Sequence, residues 1–153
     1  MATNKKTVQQ LFLEAYHYDL LEQSAEKAVN AYKKCIQVDP EYADAYVNLG
    51  LIYLKQEDYE KALHYFAKVV QLEPENIEAY INLGYTYEKM ERFGSAKQMY
   101  EQSLKIDPRH MEAFINLANI AEMQADYRGA IALWEKAIEI DPYAPEPHFF
   151  LGS

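Results

Sequence analysis

Four acid-proline pairs, Asp39-Pro40, Glu73-Pro74, Asp107-Pro108 and Asp141-Pro142, stand at intervals of 34 residues in a chain of 153. A fixed interval constrains the fold more than any local pattern. Each repeat is one supersecondary unit that buries its apolar face only by stacking on its neighbours. Sliding the chain by this interval aligns ADAYVNLGLIYLKQEDYEKALHYFAKVVQLEP (43–74) with IEAYINLGYTYEKMERFGSAKQMYEQSLKIDP (77–108) and MEAFINLANIAEMQADYRGAIALWEKAIEIDP (111–142).

Within each copy, apolar residues recur at helical spacing in two blocks. Tyr80, Leu83, Gly84 and Tyr87 follow the i, i+3, i+4, i+7 pattern, and Phe93, Ala96, Tyr100, Ser103 and Leu104 continue it after the polar break at Glu91-Arg92. Proline ends the second block because it lacks an amide proton and turns the preceding residue away from helical angles. Each repeat therefore reads as two helices joined by a short turn, which makes them antiparallel neighbours. Small residues recur where helices must approach, at Gly50, Gly84 and Ala118 in the first helix and at Ala28, Ala62, Ala96 and Ala130 in the second. Rings fill the space between them: Tyr46, Tyr80 and Phe114 from first helices, Phe66, Tyr100 and Trp134 from second helices.

The length suits one domain that buries its own core without disulfides or a metal. Fifteen Lys and Arg against 24 Asp and Glu give a net charge of -9, which argues against nucleic acid and anionic membrane surfaces as partners. Cys35 has no second cysteine to pair with, and its apolar neighbours point to a buried thiol in a reducing compartment. No apolar run reaches the roughly 18 residues that a membrane helix needs, and no signal core follows the N-terminus, so direct membrane insertion is not expected and a cytoplasmic location is.

The recurring aromatic, Leu-Gly, Tyr, Ala, aromatic and Pro positions over 34 residues resemble the tetratricopeptide repeat, from residue 9 to residue 153. The resemblance implies an all-α, right-handed α-solenoid of antiparallel helix pairs, with first helices lining a concave groove. It also implies peptide binding or protein scaffolding. The expected organisation is one continuous repeat domain: a tail and helix cap over 1–8, an atypical repeat over 9–42, repeats over 43–76, 77–110 and 111–144, and a partial repeat over 145–153. The first copy departs from the pattern, with Ala15-Tyr16 in place of Leu-Gly and Asp19 in place of tyrosine. End repeats of solenoids are commonly atypical. Thr7-Val8-Gln9-Gln10 reads as a capping box for the first helix.

With Tyr80 at zero on a 100° wheel, Glu78, Asn82, Tyr85 and Lys89 fall near the opposite pole and Ile81 to one side. The period turns these into rows: Asn48, Asn82 and Asn116; Asp44, Glu78, Glu112 and Glu146; Val47, Ile81 and Ile115; Leu51, Tyr85 and Asn119; and Lys55 with Lys89. Asparagine amides both donate and accept, so such a row can hold the backbone of an extended peptide while its neighbours choose side chains. A solvated row without a ligand is the alternative. The acidic row favours a basic and apolar partner.

Chaperone-tail clamps of the family want Lys and Asn in one first helix, Asn in the next and two basic residues in the third, at places that hold Leu13, His17, Asn48, Glu78 and Asn82 in one frame, and Val47, Leu51, Asn82, Glu112 and Asn116 in the next. Only the middle asparagine matches, so no binding of an acidic chaperone tail is expected. His17, His64, His110 and His148 occupy four different repeat positions, and no HExxH, CxxC, GxSxG or P-loop pattern occurs. Neither catalysis, a metal nor a cofactor is expected, apart from a targeting arm cut from a longer enzyme. Phe149, Phe150 and Leu151 open a fifth repeat too short to stand alone, so the expectation is either a fragment of a longer repeat protein or, as the alternative, self-association through the C-terminal end.

Overall fold

The computed structural model describes residues 5–21 and 24–143, and among these the chain forms eight helices and no strand. They are α1 (Val8–Leu20), α2 (Ala25–Val38), α3 (Ala43–Lys55), α4 (Tyr59–Leu72), α5 (Ile77–Lys89), α6 (Phe93–Ile106), α7 (Met111–Met123) and α8 (Tyr127–Ile140). The starts of α3, α5 and α7 are 34 residues apart, as are those of α4, α6 and α8. Two compact units divide within α5, one ending at Ala79 and the other beginning at Tyr80.

Local chemistry sets the ends of the helices. Thr7 and Gln10 form the expected capping box: the threonine hydroxyl accepts from the Gln10 amide at 3.2 Å, and the Gln10 side chain accepts from the Thr7 amide at 2.9 Å. Ser24 caps α2, and Asp126 caps α8 by accepting from the Gly129 amide at 3.0 Å. Three first helices stop with a residue in the left-handed region, Glu57 (φ 61), Glu91 (φ 58) and Ala125 (φ 60), with no glycine to relieve it. The next residue closes the turn, as Asp58, Arg92 and Asp126 donate their amides to the carbonyls of Tyr53, Tyr87 and Ala121 at 2.9, 2.9 and 2.8 Å. Second helices stop at the acid-proline pairs. Asp39, Asp107 and Asp141 each accept from the amide two residues on, whereas Glu73, one methylene longer, accepts from the Asn76 side chain instead.

In the first unit, α1 packs on α2, α2 on α3 and α3 on α4. Ala15, Ala28, Tyr32, Cys35, Leu49, Ala62, Phe66 and Val69 are fully enclosed there. The Cys35 thiol is buried as expected and reaches the Ala31 carbonyl at 3.5 Å. Burial of a ring such as Phe66 stabilises by about 1.5–3 kcal/mol. Gly50 explains how close the pair comes, since a Cβ there would lie 2.5 Å from the Phe66 ring. Tyr46 ties its hydroxyl to the Pro40 carbonyl at 2.8 Å, joining helix to turn.

The second unit repeats the device. A Cβ on Gly84 would lie 2.5 Å from the Tyr100 ring, and α7 packs on α8 through Ala118, Trp134 and Ala137. Phe114 is half-buried against that cluster. Two enclosed hydroxyls stay satisfied within their own helices: Thr86 donates to the Asn82 carbonyl at 2.7 Å and Ser103 to the Tyr100 carbonyl at 2.6 Å.

Candidate partner-binding surface

In the first unit, α3 presents Asp44, Leu51 and Lys55 to solvent, while Val47 and Asn48 are half-buried. Val47 packs with Ile36 against Tyr46, Val69 and Ala79. The Asn48 side chain donates to the Tyr32 hydroxyl at 3.1 Å, and that hydroxyl donates to an Asp19 oxygen at 3.1 Å. Burial and then the Asp19 charge push the Tyr32 phenol well above its usual range, so it remains a protonated donor.

This relay ends at a cleft of about 490 Å³ lined by Tyr18, Asp19, Ser24, Ala25, Leu51, Ile52, Lys55 and Gln56. Its origin lies in the atypical first repeat. One repeat later Tyr53 stacks on Tyr65, with ring centroids 5.5 Å apart and planes within 2°, whereas Asp19 and Ala31 hold the equivalent places. Asp19 thus puts a carboxylate at the border of this space where the next repeat has a ring. Leu51 and Lys55 were expected on this surface. Tyr18, Asp19, Ser24, Ala25, Ile52 and Gln56 were not, although the departure at Asp19 is visible in the aligned repeats.

Glu78 is exposed at the end of the first unit. In the second unit, Tyr85 and Lys89 are exposed, with the ammonium 5.2 Å from the ring centroid. Glu112 is exposed, and its carboxylate lies 3.8 Å from His110 Nε2. Asn116 and Asn119 are half-buried, and Ile115 packs against Ala118, Trp134 and Ala137. Ile81, expected on the flank of the outward face, is only 6 % exposed. The row of Val47, Ile81 and Ile115 thus belongs more to packing than to an open apolar strip.

Asn82 is half-buried, and its side-chain nitrogen is enclosed with no hydrogen-bond partner in the structure. Asn48 spends the same atom on Tyr32. An enclosed donor left unpaired costs about 1–3 kcal/mol. Glu146, Phe149, Phe150 and Leu151 lie outside the described residues. Among the described residues no three His, Cys, Asp or Glu side chains gather as a metal site, and no helix is long and apolar enough to cross a membrane.

Family models described as tetratricopeptide repeat match residues 41–109 and 81–145, and one described as TPR repeat matches residues 22–57. No curated protein sequence matches significantly. Among solved structures, a crystal structure of MamA superposes with a TM-score of 0.80 at 23 % identity, covering 89 % of this chain and 79 % of that one. MamA 41-end from Desulfovibrio magneticus RS-1 superposes with a TM-score of 0.79 at 21 % identity, covering 92 % of this chain and 78 % of that one. At such identities the likeness is one of fold.

Proposed function

Because this chain belongs to the tetratricopeptide-repeat family, we propose that it is a protein-interaction scaffold that holds extended partner segments against the outward faces of its first helices. The repeated asparagine, half-buried at Asn82 and Asn116 on successive first helices, carries this reading, since a side-chain amide can pair with the backbone of an extended peptide. Asn116 occupies the equivalent place one repeat on and is available to the same chemistry. Asn48 serves the Tyr32 relay instead.

The partner segment is basic and apolar. Asp44, Glu78 and Glu112 are exposed acids on this face, and the cleft beside Asp19 has Tyr18, Leu51 and Ile52 as apolar walls. A lysine or arginine stem fits such walls while its head reaches the carboxylate. The surplus of acids on the chain speeds encounter with such a partner and makes it weaken with salt. The scaffold acts by binding rather than catalysis, and the buried, unpaired Cys35 suits a reducing cytoplasm.

Fluorescence anisotropy with a library of basic-apolar peptides tests the reading. Asn82→Ala with Asn116→Ala is expected to weaken binding at least severalfold, and acidic peptides are expected not to bind. Equal affinities for the parent and the double variant would remove the asparagine row from the binding surface.

A further inference from the structure

Asp19 is half-buried at the cleft of the first unit, and the fold holds its carboxylate in place. Asn48 donates to the Tyr32 hydroxyl at 3.1 Å, and that hydroxyl donates to Asp19 Oδ2 at 3.1 Å. Tyr32 is fully enclosed, and burial pushes its phenol well above the usual range, so the hydroxyl keeps the proton it gives to Asp19. One carboxylate oxygen is thereby engaged inside the molecule, which leaves Oδ1 for a ligand. Two neutral side chains with acceptor oxygens line the same cleft: Ser24, whose hydroxyl accepts from the Lys27 amide at 3.2 Å and has a second lone pair, and the exposed Gln56. The next repeat has Tyr53 and Phe66 at the places of Asp19 and Tyr32, so the pair does not recur there.

We propose that this cleft is a lysine subsite, and that Tyr32, held by Asn48, sets its preference for lysine over arginine. The inference rests on the reading of the chain as a scaffold for basic and apolar segments. A lysine head is a compact point charge with three rotatable donors, which suits one carboxylate oxygen and two scattered neutral acceptors. A guanidinium is a planar fork that pairs best with both oxygens of a carboxylate at once, and Tyr32 already engages one of them. The apolar stem of the lysine lies along Tyr18, Leu51 and Ile52. Lys55 lines the cleft as well and bears on either cation alike, so it does not decide between them. Asp19 makes the contact with the partner, whereas Tyr32 and Asn48 act through it as positioning residues.

NMR titration of the isotopically labelled full chain with millimolar Nα-acetyl-lysine methylamide, and with its arginine and norleucine counterparts, tests this. Such probes have no extended segment, so they report on the cleft whether or not the asparagine row binds. The lysine compound is expected to shift the Ser24, Leu51 and Ile52 amides saturably and to bind severalfold more tightly than the arginine compound, with norleucine leaving no trace there. Asp19→Asn keeps an acceptor for Tyr32 and is expected to abolish binding of both cations. Tyr32→Phe frees the second oxygen and is expected to reverse the order in favour of arginine, whereas a purely structural role for Tyr32 would weaken both alike. If circular dichroism shows that Tyr32→Phe unfolds, Asn48→Ala replaces it and is expected to narrow the difference. Equal affinities for lysine and arginine in the parent overturn the proposal. So do shifts confined to other parts of the chain, a folded Tyr32→Phe variant that keeps the parent order, or a Glu22→Gln variant that loses binding as Asp19→Asn does. Basic peptides that bind while the capped lysine leaves the cleft unmoved remove the subsite alone. A capped lysine that binds there while no peptide does supports the subsite and removes the scaffold reading.

Discussion

The Tyr100 hydroxyl donates to a Glu88 carboxylate oxygen at 2.7 Å, placing an acid of α5 against a fully enclosed phenol of α6. Burial is the larger influence on Glu88 and raises its pKa above the usual carboxylate range, against the smaller downward pull of the Tyr100 hydrogen bond. A group raised in the folded state contributes stability below its unfolded pKa and loses it as pH rises through the folded value. Glu88→Gln keeps an acceptor for Tyr100 without the charge. Its stability relative to the parent is expected to increase between about pH 4 and pH 7, as read by urea unfolding across that range. A parent that gains on the variant over the same range would reverse the sign.

Tyr32 and Tyr100 supply the alkaline counterpart. Both phenols are raised far above the usual range, chiefly by burial and further by Asp19 and Glu88 respectively. Their contribution is intact below the unfolded phenol pKa and drains away as pH rises above about 10. Tyrosinate absorbance is expected to rise gradually for exposed rings, then in a cooperative step coincident with loss of helicity. Tyr32→Phe and Tyr100→Phe should each shrink that step.

Gly84 sits under the Tyr100 ring with no room for a methyl group. Gly84→Ala gains about 1 kcal/mol of helix propensity but overpacks the ring at about 1–3 kcal/mol, so net destabilisation is expected in chemical denaturation. Gly94, with nothing near its missing Cβ, is the control, and Gly94→Ala is expected to stabilise.

Ala125 holds a left-handed conformation at φ 60 with a side chain that is exposed. Ala125→Gly removes a strain of about 1 kcal/mol and is expected to raise the denaturation midpoint. The same change at Glu57 and Glu91 should act in the same direction, because they occupy the equivalent turn. Replacement by valine at any of the three should do the opposite.

The period, the helix pairs and the small-residue contacts were legible because they are written in local punctuation and repeated. The Thr7–Gln10 box follows from spacing alone, as do the small and ring positions, though not which ring faces which glycine. The burial of Val47 was not legible, since a single-helix wheel displays one packing face and this side chain uses a second, towards Ile36 on another helix. Asn48 misled for the same reason: its hydroxyl partner is Tyr32 of α2, in the preceding repeat. The left-handed turns were hidden because no glycine marks them. The cleft was half-legible, for Asp19 in a tyrosine place signals a missing ring but not the size of the space left behind.

The small-residue contacts limit how repeats can be recombined. Gly50 faces Phe66, Gly84 faces Tyr100, and Ala118 packs with Trp134. Each first helix is therefore cut to fit its own second helix, despite the common period. A chimera that joins α5 to α8 would set a glycine notch against an indole, and one that joins α7 to α4 would set a methyl group where the phenylalanine ring lies close. Shuffling whole hairpins preserves these fits, whereas shuffling single helices breaks them, so the exchangeable part of this chain is the pair.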